Sequence, residues 1–382
     1  MNPNIDPTQK KKGTIKGVPS GDTVVFQGPP GKDGIPLEKT LRLNGINAPR
    51  LGDNEKQDEP LAYEAREFLR QRLIGREVFF YIENKFNDRE YGRVIVDDED
   101  VGALLLQEGL AKLLEDMKNK PYNYDKYREA QDSAQKKSKG VWSANAQKSV
   151  RTLAPIENPK KVLDKYKGTK LAGVVEEFRN GLFHVYVPEL QSIIRITFPG
   201  IFIQVGNFKA SQDVRMFLEA TYLHRDVNIN ITNYDDKYNY FFGTITVNDN
   251  PKYNPIVELL KNGYARLTQS AVVELDAAEF KTAKAAQDEA QSKKLRMWSN
   301  FEGKKEGSAT SAITGDKEFY GRVLEVHSGD TLTVENLAKG EVLRINLSNV
   351  RAPGVGNPKR NELPKPWGFE AKEFVRSQVM GI

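Results

Sequence analysis

Residues 20–26, SGDTVVF, and residues 41–50, LRLNGINAPR, form the stretch that decides how this chain folds. The Gly-Asp pair predicts a turn, and the β-branched and aromatic residues after it predict a strand. The second segment alternates leucine with arginine and asparagine and ends at a proline, which indicates a half-buried strand. The same pair of segments occurs again at 328–334 and 347–353, so the chain repeats one structural unit.

Composition and charge limit what the chain can be. Its 382 residues are enough for two or three domains. Lys and Arg outnumber Asp and Glu by 57 to 52, so nucleic-acid contact would depend on local patches rather than on bulk charge. The absence of cysteine excludes disulfides and thiolate metal sites, and three histidines far apart in sequence argue against a zinc site.

Two further features bear on location. Residues 1–12 are polar, which disfavours secretion. No apolar run approaches the roughly 20 residues of a membrane span, so we expect no membrane partner. A cytoplasmic location, extending to the nucleus, fits these observations.

Internal repeats are the strongest signal in the sequence. Residues 127–143 recur at 280–299, and residues 60–71 recur at 366–377. We predict a first copy at 13–145, a second copy at 168–300 and a partial third copy at 319–382. Residues 146–167 and 301–318 are expected to be linkers, because they are rich in Pro, Gly, Ser and Lys. Since the third copy breaks off after its first helix, we expect the natural protein to continue beyond Ile382.

Within the first copy, the pattern predicts five strands and three helices. The strands are expected near 14–19, 23–27, 39–44, 77–83 and 91–96. A helix begins after Pro60 and ends at Gly75, and two more cover 101–107 and 124–137. This order predicts an α+β fold of tandem five-stranded β-barrels of the OB type with appended helices.

The order of motifs along each copy resembles the staphylococcal nuclease fold. In the first copy it runs from Gly-Asp-Thr to Ala-Pro, then Tyr91-Gly92-Arg93, Gly109-Leu110-Ala111 and Trp142-Ser143. Tandem copies that each close on Trp-Ser are similar to the Tudor staphylococcal-nuclease family of eukaryotic RNA-binding proteins. The resemblance implies RNA and RNA-silencing proteins as partners, and nuclease activity as a family property.

The resemblance also implies a set of site residues. In the nuclease, two carboxylates hold Ca²⁺, a glutamate activates water and two arginines stabilise charge on the phosphate. Asp22 matches the first carboxylate, as a possible Ca²⁺ ligand, and Arg42 and Arg93 match the two arginines. Asn47 stands at the second carboxylate and Arg50 at the general base. A guanidinium cannot accept a proton at cellular pH and would repel Ca²⁺, so the set is incomplete.

The other copies retain even less of this set. The second copy places Leu182, Thr197, Thr244 and Phe202 at the positions of Asp22, Arg42, Arg93 and Asn47. The third copy keeps Asp330, but Arg351 and Gly354 replace the second carboxylate and the base. Asn346 replaces Arg42 there, with Arg344 close by. No copy contains the whole set.

Basic and aromatic residues suggest a path for RNA. Six cations recur near the tryptophan that ends each copy, where they would track a phosphate backbone or simply form a solvated face: Lys136, Lys137, Lys139, Lys293, Lys294 and Arg296. Tyrosines at 122, 124, 127, 234, 238 and 240 would stack on unpaired bases or pack in the core.

Purely structural roles are also open for the candidate site residues. Asp22 could cap the turn at Gly21, and the two arginines could pair with Asp88 or Glu90. The acidic run 97–100 lacks the spacing of a Ca²⁺ loop and is expected to form a hairpin tip.

Three functions remain open from the sequence. The first is an RNA-binding scaffold that works with RNA silencing and RNA decay machinery and hydrolyses RNA weakly or not at all. The second is an active Ca²⁺-dependent endoribonuclease, with a base supplied by Asp53 or Glu55. The third is a protein-interaction scaffold, such as a transcriptional co-regulator, in which RNA contact is incidental.

Overall fold

The computed structural model describes residues 6, 8–30, 36–52, 56–115, 117, 120–203, 209–247, 253–268, 270–299, 321–336, 342–356 and 365–379. Contacts divide the chain into two units, Met1–Gly303 and Lys304–Ile382. The first unit holds two barrels and the second holds a three-stranded sheet with one helix. No helix in these described ranges is long and apolar enough to cross a membrane.

The first barrel follows the predicted strand order. Strands β1 (Lys11–Ser20), β2 (Thr23–Pro30) and β3 (Pro36–Leu43) form an antiparallel meander. Two short strands, β4 (Ile46–Asn47) and β8 (Lys112–Leu113), pair with each other beside it. Strands β5 (Glu77–Phe86) and β6 (Arg89–Val96) continue the sheet from β1, and β3 runs parallel to β6 and closes the barrel.

The helices of the first copy also lie where the sequence predicted them. These are α1 (Ala62–Leu73), α2 (Val101–Gln107), which follows the two-residue strand β7 (Glu99–Asp100), and α3 (Tyr124–Lys136). Alternate strand residues point inward, so that Val24, Leu41 and Val94 are fully buried. The five predicted strands and three predicted helices are all present, and the short strands β4, β7 and β8 are additional to the prediction.

The second barrel is closed by five strands in the order β10-β11-β14-β13-β9. Its elements are α4 (Pro159–Tyr166), β9 (Leu171–Arg179), β10 (Leu182–Val187), β11 (Ser192–Thr197), β12 (Ile201–Ile203), α5 (Lys209–Tyr222), β13 (Asp226–Asp235), β14 (Tyr240–Val247), α6 (Pro255–Lys261), β15 (Ala265–Leu267), α7 (Ala271–Glu274) and α8 (Ala277–Ser292). Among the described residues, its core contains side chains from 156–286 and none from the first barrel. This barrel therefore has a hydrophobic core of its own.

Part of the expected linker 146–167 is ordered. Helix α4 begins after Asn158, whose side chain accepts a hydrogen bond from the Lys161 N–H, and has a proline at its first position. Tyr166 is 8% exposed and belongs to the second core, with Val162 and Leu163 packed against it. The proline and lysine content suggested a flexible joint, but the apolar residues between the lysines attach this helix to the second barrel. The other expected linker, 301–318, lies outside the described residues.

The second unit has fewer elements than either barrel. It contains β16 (Gly321–Ser328), β17 (Thr331–Asn336), β18 (Val342–Asn346) and α9 (Gly368–Val379). Val326, Leu332 and Val334 form its small core, with Val375 and Val379 of the helix packed against them. Large apolar side chains are exposed on this unit, including Leu324 at 44% and Phe369 at 63%.

The Gly-Asp turn fixes the position of the first helix in both units. A Cβ added at Gly21 would lie 2.6 Å from the Ala65 Cβ and 2.8 Å from the Ala48 Cβ. At Gly329 the corresponding distances are 2.9 Å to Ala371 and 2.8 Å to Ala352. Only glycine leaves room for the helix and the Ala-Pro segment to meet at this turn.

Charged side chains of α1 join the two barrels. Arg70 Nη2 lies 2.7 Å from Asp226 of the second barrel and 2.7 Å from Glu67 of its own helix. Arg66 pairs with Glu176, and both arginines are 1% exposed. The backbone N–H of Val18 donates to His224 Nδ1 at 2.8 Å, and burial lowers the pKa of His224 to about 3, so this imidazole stays neutral.

We expect Gly21→Ala to destabilise the first unit by about 1–3 kcal/mol, because the new methyl group overlaps two alanine Cβ atoms. Urea unfolding monitored by circular dichroism measures this change. Gly17→Ala is the matched control in the same strand pair, since its Cβ would meet its nearest neighbour, His224 Nδ1, at an ordinary 3.5 Å. Equal effects of the two substitutions would contradict the packing argument.

Arg70→Ala should destabilise the first unit by about 3 kcal/mol, because it removes a buried cation from Asp226 and from Glu67, which then retains its ion pair with Arg66. Arg76→Ala is the control near the end of the same helix. Arg76 is exposed and pairs with exposed Asp97, so its removal should cost far less stability than the removal of Arg70. The comparison of urea midpoints for the two variants tests the role of the buried charges.

Candidate nucleic-acid interface

A groove on the outer face of the first barrel contains Arg42. Strand register places Thr23 of β2 beside Arg42 of β3, and Arg42 beside Tyr91 of β6. All three side chains are half-buried. The groove has a volume of about 590 Å³ and is also lined by Lys39, Asp88, Arg89 and Glu90. Lys39 pairs with Glu90 at 2.8 Å, so this carboxylate forms an ion pair with the lysine on the same strand as Arg42.

Asp22 lies at the turn next to this groove and is engaged in local hydrogen bonds. Its Oδ1 accepts from the hydroxyl groups of Ser20 at 2.7 Å and Thr23 at 2.8 Å, and the residue is 7% exposed. The Asp22 backbone carbonyl accepts from the Leu43 N–H at 2.8 Å. This aspartate therefore holds the β1–β2 turn and its junction with β3, as the turn-capping alternative predicted.

Asp330 repeats this arrangement in the second unit. Its carboxylate accepts from the hydroxyl groups of Ser328 and Thr331 and from the Ala352 N–H at 3.1 Å. The hydrogen bond from Ser328, followed by that from Ala352, lowers the pKa of Asp330. Asp330 thus connects the turn to the Ala-Pro segment directly, in a unit where Arg351 replaces the second carboxylate.

The residues that stand at the positions of the second carboxylate and the base, Asn47 and Arg50, make structural contacts. Asn47 is exposed on β4, opposite Lys112 of β8. The Arg50 N–H donates to the Glu59 carboxylate at 2.8 Å, and the Arg50 carbonyl accepts from the Glu59 N–H at 2.9 Å. Asp53 and Glu55, the alternative bases, lie outside the described residues.

The donor set does not fit a calcium ion. Within the described part of the chain, no three side chains of His, Cys, Asp or Glu come together in a way that could hold a metal. Asp22 is one carboxylate with hydroxyl donors already on it, whereas Ca²⁺ takes six to eight oxygen ligands. We therefore derive no chemistry from this ion.

Arg93 is packed into the barrel wall. It is 8% exposed, its Nε lies 3.3 Å from Glu83, and its guanidinium lies 4.1 Å from the ring centres of both Tyr81 and Tyr122. Glu83 also accepts from the Asn44 side chain at 2.8 Å. Burial raises the pKa of Glu83, while Asn44, Tyr122 and Arg93 act in the opposite direction. Sequence reasoning missed Tyr81, Glu83 and Asn44, because nothing in their spacing indicates that they surround Arg93.

The predicted stacking tyrosines of the first copy divide into two groups. Tyr122 is 62% exposed and covers Arg93. Tyr124 and Tyr127 are buried in the core, where the Tyr127 hydroxyl donates to Asp100 at 3.0 Å. Asp100 caps α2, while Asp97 of the same acidic run pairs with Arg76.

The six predicted RNA-binding cations fall into two groups, three with partners in the fold and three that are exposed at helix ends. Lys139 pairs with Glu108 at 2.8 Å, and Lys293 pairs with Glu289 at 2.5 Å. Arg296 donates to the Asn262 carbonyl at 2.8 Å and lies over the Tyr264 ring. Lys136, Lys137 and Lys294 are exposed at the ends of α3 and α8, so these three are the better placed for a phosphate backbone.

The matching groove of the second barrel is aromatic. Leu182, Thr197 and Phe202 line a cavity of about 550 Å³ together with Tyr238 and Tyr240. Among the described lining residues the one carboxylate, Glu274, accepts from the Gly200 N–H at 2.6 Å. The described lining of this groove offers neither a general base nor a metal site.

Comparison with known proteins places the chain in a family. The model of the staphylococcal nuclease homologue family matches residues 40–144 and 206–300, which together cover more than half of the chain. Ribonuclease TUDOR 2 of Arabidopsis thaliana is 28% identical over 445 residues, covering 97% of this chain and 45% of that protein. Staphylococcal nuclease domain-containing protein 1 of Drosophila melanogaster is 30% identical over 424 residues, covering 98% of this chain and 44% of that protein.

A shorter relative matches only part of the chain. Probable endonuclease LCL3 of Arthroderma otae is 30% identical over 142 residues, covering 34% of this chain and 49% of that protein. The chain spans less than half the length of each of these three relatives. On the family match, the repeats and the barrels, the chain belongs to the staphylococcal nuclease homologue family and, within it, to the Tudor staphylococcal-nuclease proteins.

Proposed function

We propose that this chain is an RNA-binding scaffold whose first barrel holds the phosphate backbone and hydrolyses it weakly or not at all. One observation carries this proposal: the Arg42 groove is intact, but an arginine, Arg50, stands at the position of the base. Binding needs a cation that reaches the phosphate, while hydrolysis also needs a group that accepts a proton from water.

The binding half of the proposal rests on Arg42 and its neighbours. A half-buried guanidinium offers several N–H donors in a fixed plane, which suits the oxygens of a phosphate. The Thr23 hydroxyl lies beside it on the next strand. The groove carries three cations and three carboxylates among its lining residues, so we expect moderate affinity that depends strongly on salt.

The second part of the proposal, weak or absent hydrolysis, rests on the missing general base. Arg50 is tied to Glu59 by two hydrogen bonds through its backbone, and its guanidinium cannot take a proton. The rival function is an active Ca²⁺-dependent endoribonuclease, and the names of the relatives, "Ribonuclease" and "Probable endonuclease", favour it. Its base would have to come from residues such as Asp53 or Glu55.

Cellular context is a further part of the proposal. Partnership with RNA-silencing and RNA-decay proteins, and a location in the cytoplasm and nucleus, are expected from the family resemblance. Both stay predictions. The exposed apolar residues of the second unit support protein binding in addition to RNA binding.

Arg42→Ala should weaken the binding of a labelled 20-nucleotide RNA about 3- to 10-fold at low salt and lower the slope of log affinity against log salt by about one. Arg179→Ala is the matched control, because Arg179 is an exposed arginine on the second barrel that pairs with Glu177 at 3.6 Å. Fluorescence anisotropy at several salt concentrations measures both quantities for single- and double-stranded RNA.

The same RNAs incubated with Ca²⁺ or with a chelator test hydrolysis. We expect no Ca²⁺-dependent product. Cleavage that needs Ca²⁺ and is lost in Arg42→Ala would favour the endoribonuclease instead. Affinity that is the same for Arg42→Ala, Arg179→Ala and the natural sequence would remove the groove from the RNA path.

A further inference from the structure

The groove of the second barrel differs in chemistry from the Arg42 groove, although strand pairing places the two at equivalent positions. In the first barrel Arg42 of β3 pairs with Tyr91 of β6, and in the second barrel Thr197 of β11 pairs with Phe242 of β14, both in parallel. A threonine thus replaces the arginine on which phosphate binding is proposed. We call this second surface the aromatic groove, because its described lining includes Phe202, Tyr238, Tyr240 and Phe242.

The aromatic rings of this groove are accessible from outside the barrel. Tyr238 is 59% exposed and Phe202 is 45% exposed, while Tyr240 and Phe242 are half-buried. The last two rings meet edge to face, with their centres 5.2 Å apart. They lie on the outward side of β14, because Phe241 between them is 3% exposed and belongs to the core. Exposed apolar rings gathered around one groove are typical of a binding site.

The backbone that carries Tyr238 is held in place by its surroundings. The Arg195 guanidinium donates to the carbonyl oxygens of Tyr238 at 3.0 Å and Asn239 at 2.5 Å. Tyr234, the third tyrosine of this segment, packs against Phe241 with ring centres 5.1 Å apart, and its hydroxyl donates to the Asn239 side chain at 2.9 Å. Tyr234 therefore supports the turn between β13 and β14, and a ligand finds Tyr238 on a fixed backbone.

The charged residues that line the aromatic groove are already engaged. In the described lining these are Arg195, bound to the two carbonyl oxygens, and Glu274, which accepts from the Gly200 N–H at 2.6 Å. The Thr197 hydroxyl, at the position of Arg42, donates to the Gly181 carbonyl at 3.2 Å. The interior of the groove thus offers ring faces rather than uncommitted charge, which suits a flat and uncharged group.

Exposed cations stand beside two of the rings. The Lys237 Nζ lies 4.9 Å from the centre of the Tyr238 ring, and the Arg266 guanidinium lies 4.9 Å from the centre of the Phe202 ring. Pairing of β12 with β15 sets Phe202 directly opposite Arg266. Single-stranded nucleic acid is held by this combination, in which a base stacks on the ring and a neighbouring phosphate meets the cation.

The rim cations favour RNA over an apolar peptide as the occupant. Lysine and arginine at the rim attract a polyanion, whereas an apolar peptide gains no energy from them. The volume of about 550 Å³ lies within the range of small-ligand sites, about 300–1,000 Å³, and leaves room for a base. A base inside a duplex is paired and stacked on its neighbours, so only an unpaired base can enter.

We propose that the aromatic groove is a second RNA site, in which unpaired bases of a single strand stack on Tyr238 and Phe202 while adjacent phosphates contact Lys237 and Arg266. This inference rests on the proposed RNA-binding function and adds to it the class of RNA that is preferred. The first barrel holds the phosphates of single and double strands alike, and the second barrel selects strands with unpaired bases.

Removal of rings from the protein and of bases from the RNA, in combination, tests stacking directly. The whole chain and the variant Tyr238→Ala/Phe202→Ala are titrated by fluorescence anisotropy with a labelled 20-nucleotide single strand and with the same strand made abasic at its central positions. The abasic strand keeps its phosphates. We expect the natural sequence to prefer the complete strand by about fivefold or more, and the alanine variant to bind both strands equally.

Two control variants separate stacking from a general loss of structure. Tyr238→Phe/Phe202→Tyr keeps both rings and should keep the preference for the complete strand. Phe374→Ala removes a ring that is 67% exposed on α9, outside both barrels, and should also keep it. Thermal melts followed by circular dichroism show that each variant is folded.

A 20-base-pair duplex separates this site from the Arg42 groove. We expect Tyr238→Ala/Phe202→Ala to bind the duplex within twofold of the natural sequence, and Arg42→Ala to weaken the binding of both RNA forms. A preference for the complete strand that survives in the alanine variant would overturn the aromatic groove as an RNA site, with the effect of Arg42→Ala left standing. The groove would then be open to an apolar segment of a partner protein.

Two other results would also decide against this site. Equal losses of affinity for single strand and duplex in Tyr238→Ala/Phe202→Ala would mean that these residues act on the backbone rather than on bases. No binding of either RNA by the natural sequence would overturn this inference together with the proposed function on which it rests.

Discussion

The close approach of three chain segments at the Gly-Asp turn is the constraint on which the rest of the structure depends. The helix that follows, the Ala-Pro segment and the turn itself meet at a place where a single methyl group would overlap its neighbours. Asp22 and Asp330 then bind the hydroxyl groups beside them and hold the turn closed. Because β2 starts from this turn and β3 ends beside it, where the Leu43 N–H donates to the Asp22 carbonyl, the turn also sets the register that places Arg42 beside Thr23.

This constraint explains why the fold does not depend on the residues that the resemblance implies for catalysis. Glycine, aspartate and alanine at the turn serve packing and hydrogen bonding, so they are retained in the first and third copies. At the positions where the resemblance implies a second carboxylate and a base, the first and third copies have Asn47, Arg50, Arg351 and Gly354. The same aspartate that would be a metal ligand in a nuclease is here part of the turn. Arg93, likewise, is stabilised by Glu83 and two tyrosines and contributes to the packing of its barrel.

Much of the fold was predictable from the sequence, because its signals are local or repeated. Alternating leucines marked the strands, glycine and proline marked the ends of α1, and the recurrence of 60–71 at 366–377 marked a third copy. The contacts of Arg66, Arg70 and His224 across the two barrels were not predictable, since they join residues far apart in the chain. Helix α4 was missed because its lysines and prolines outweighed two apolar residues in the composition.

At the candidate site, too, the sequence predicted which residues are present but not which contacts they make. The identities of Asp22, Arg42 and Arg93 followed from motif order, but their roles depend on neighbours that the sequence does not reveal. Lys139, Lys293 and Arg296 have the composition of an RNA-binding cluster, yet each has a carboxylate or carbonyl partner in the fold. A pattern of cations shows where charge is placed along the chain, and only the structure shows which charge is already paired.

The central claim is that the first barrel has lost its metal and base chemistry and has kept its phosphate-facing groove. Calorimetric titration of the whole chain with Ca²⁺ tests this most directly, together with the variant Asp22→Asn. The account predicts no stoichiometric Ca²⁺ binding tighter than about 1 mM. It also predicts a small loss of thermal stability in Asp22→Asn, because the neutral amide oxygen accepts the hydrogen bonds from Ser20 and Thr23 more weakly than the carboxylate does. One-to-one Ca²⁺ binding by the natural sequence that Asp22→Asn abolishes would contradict the account.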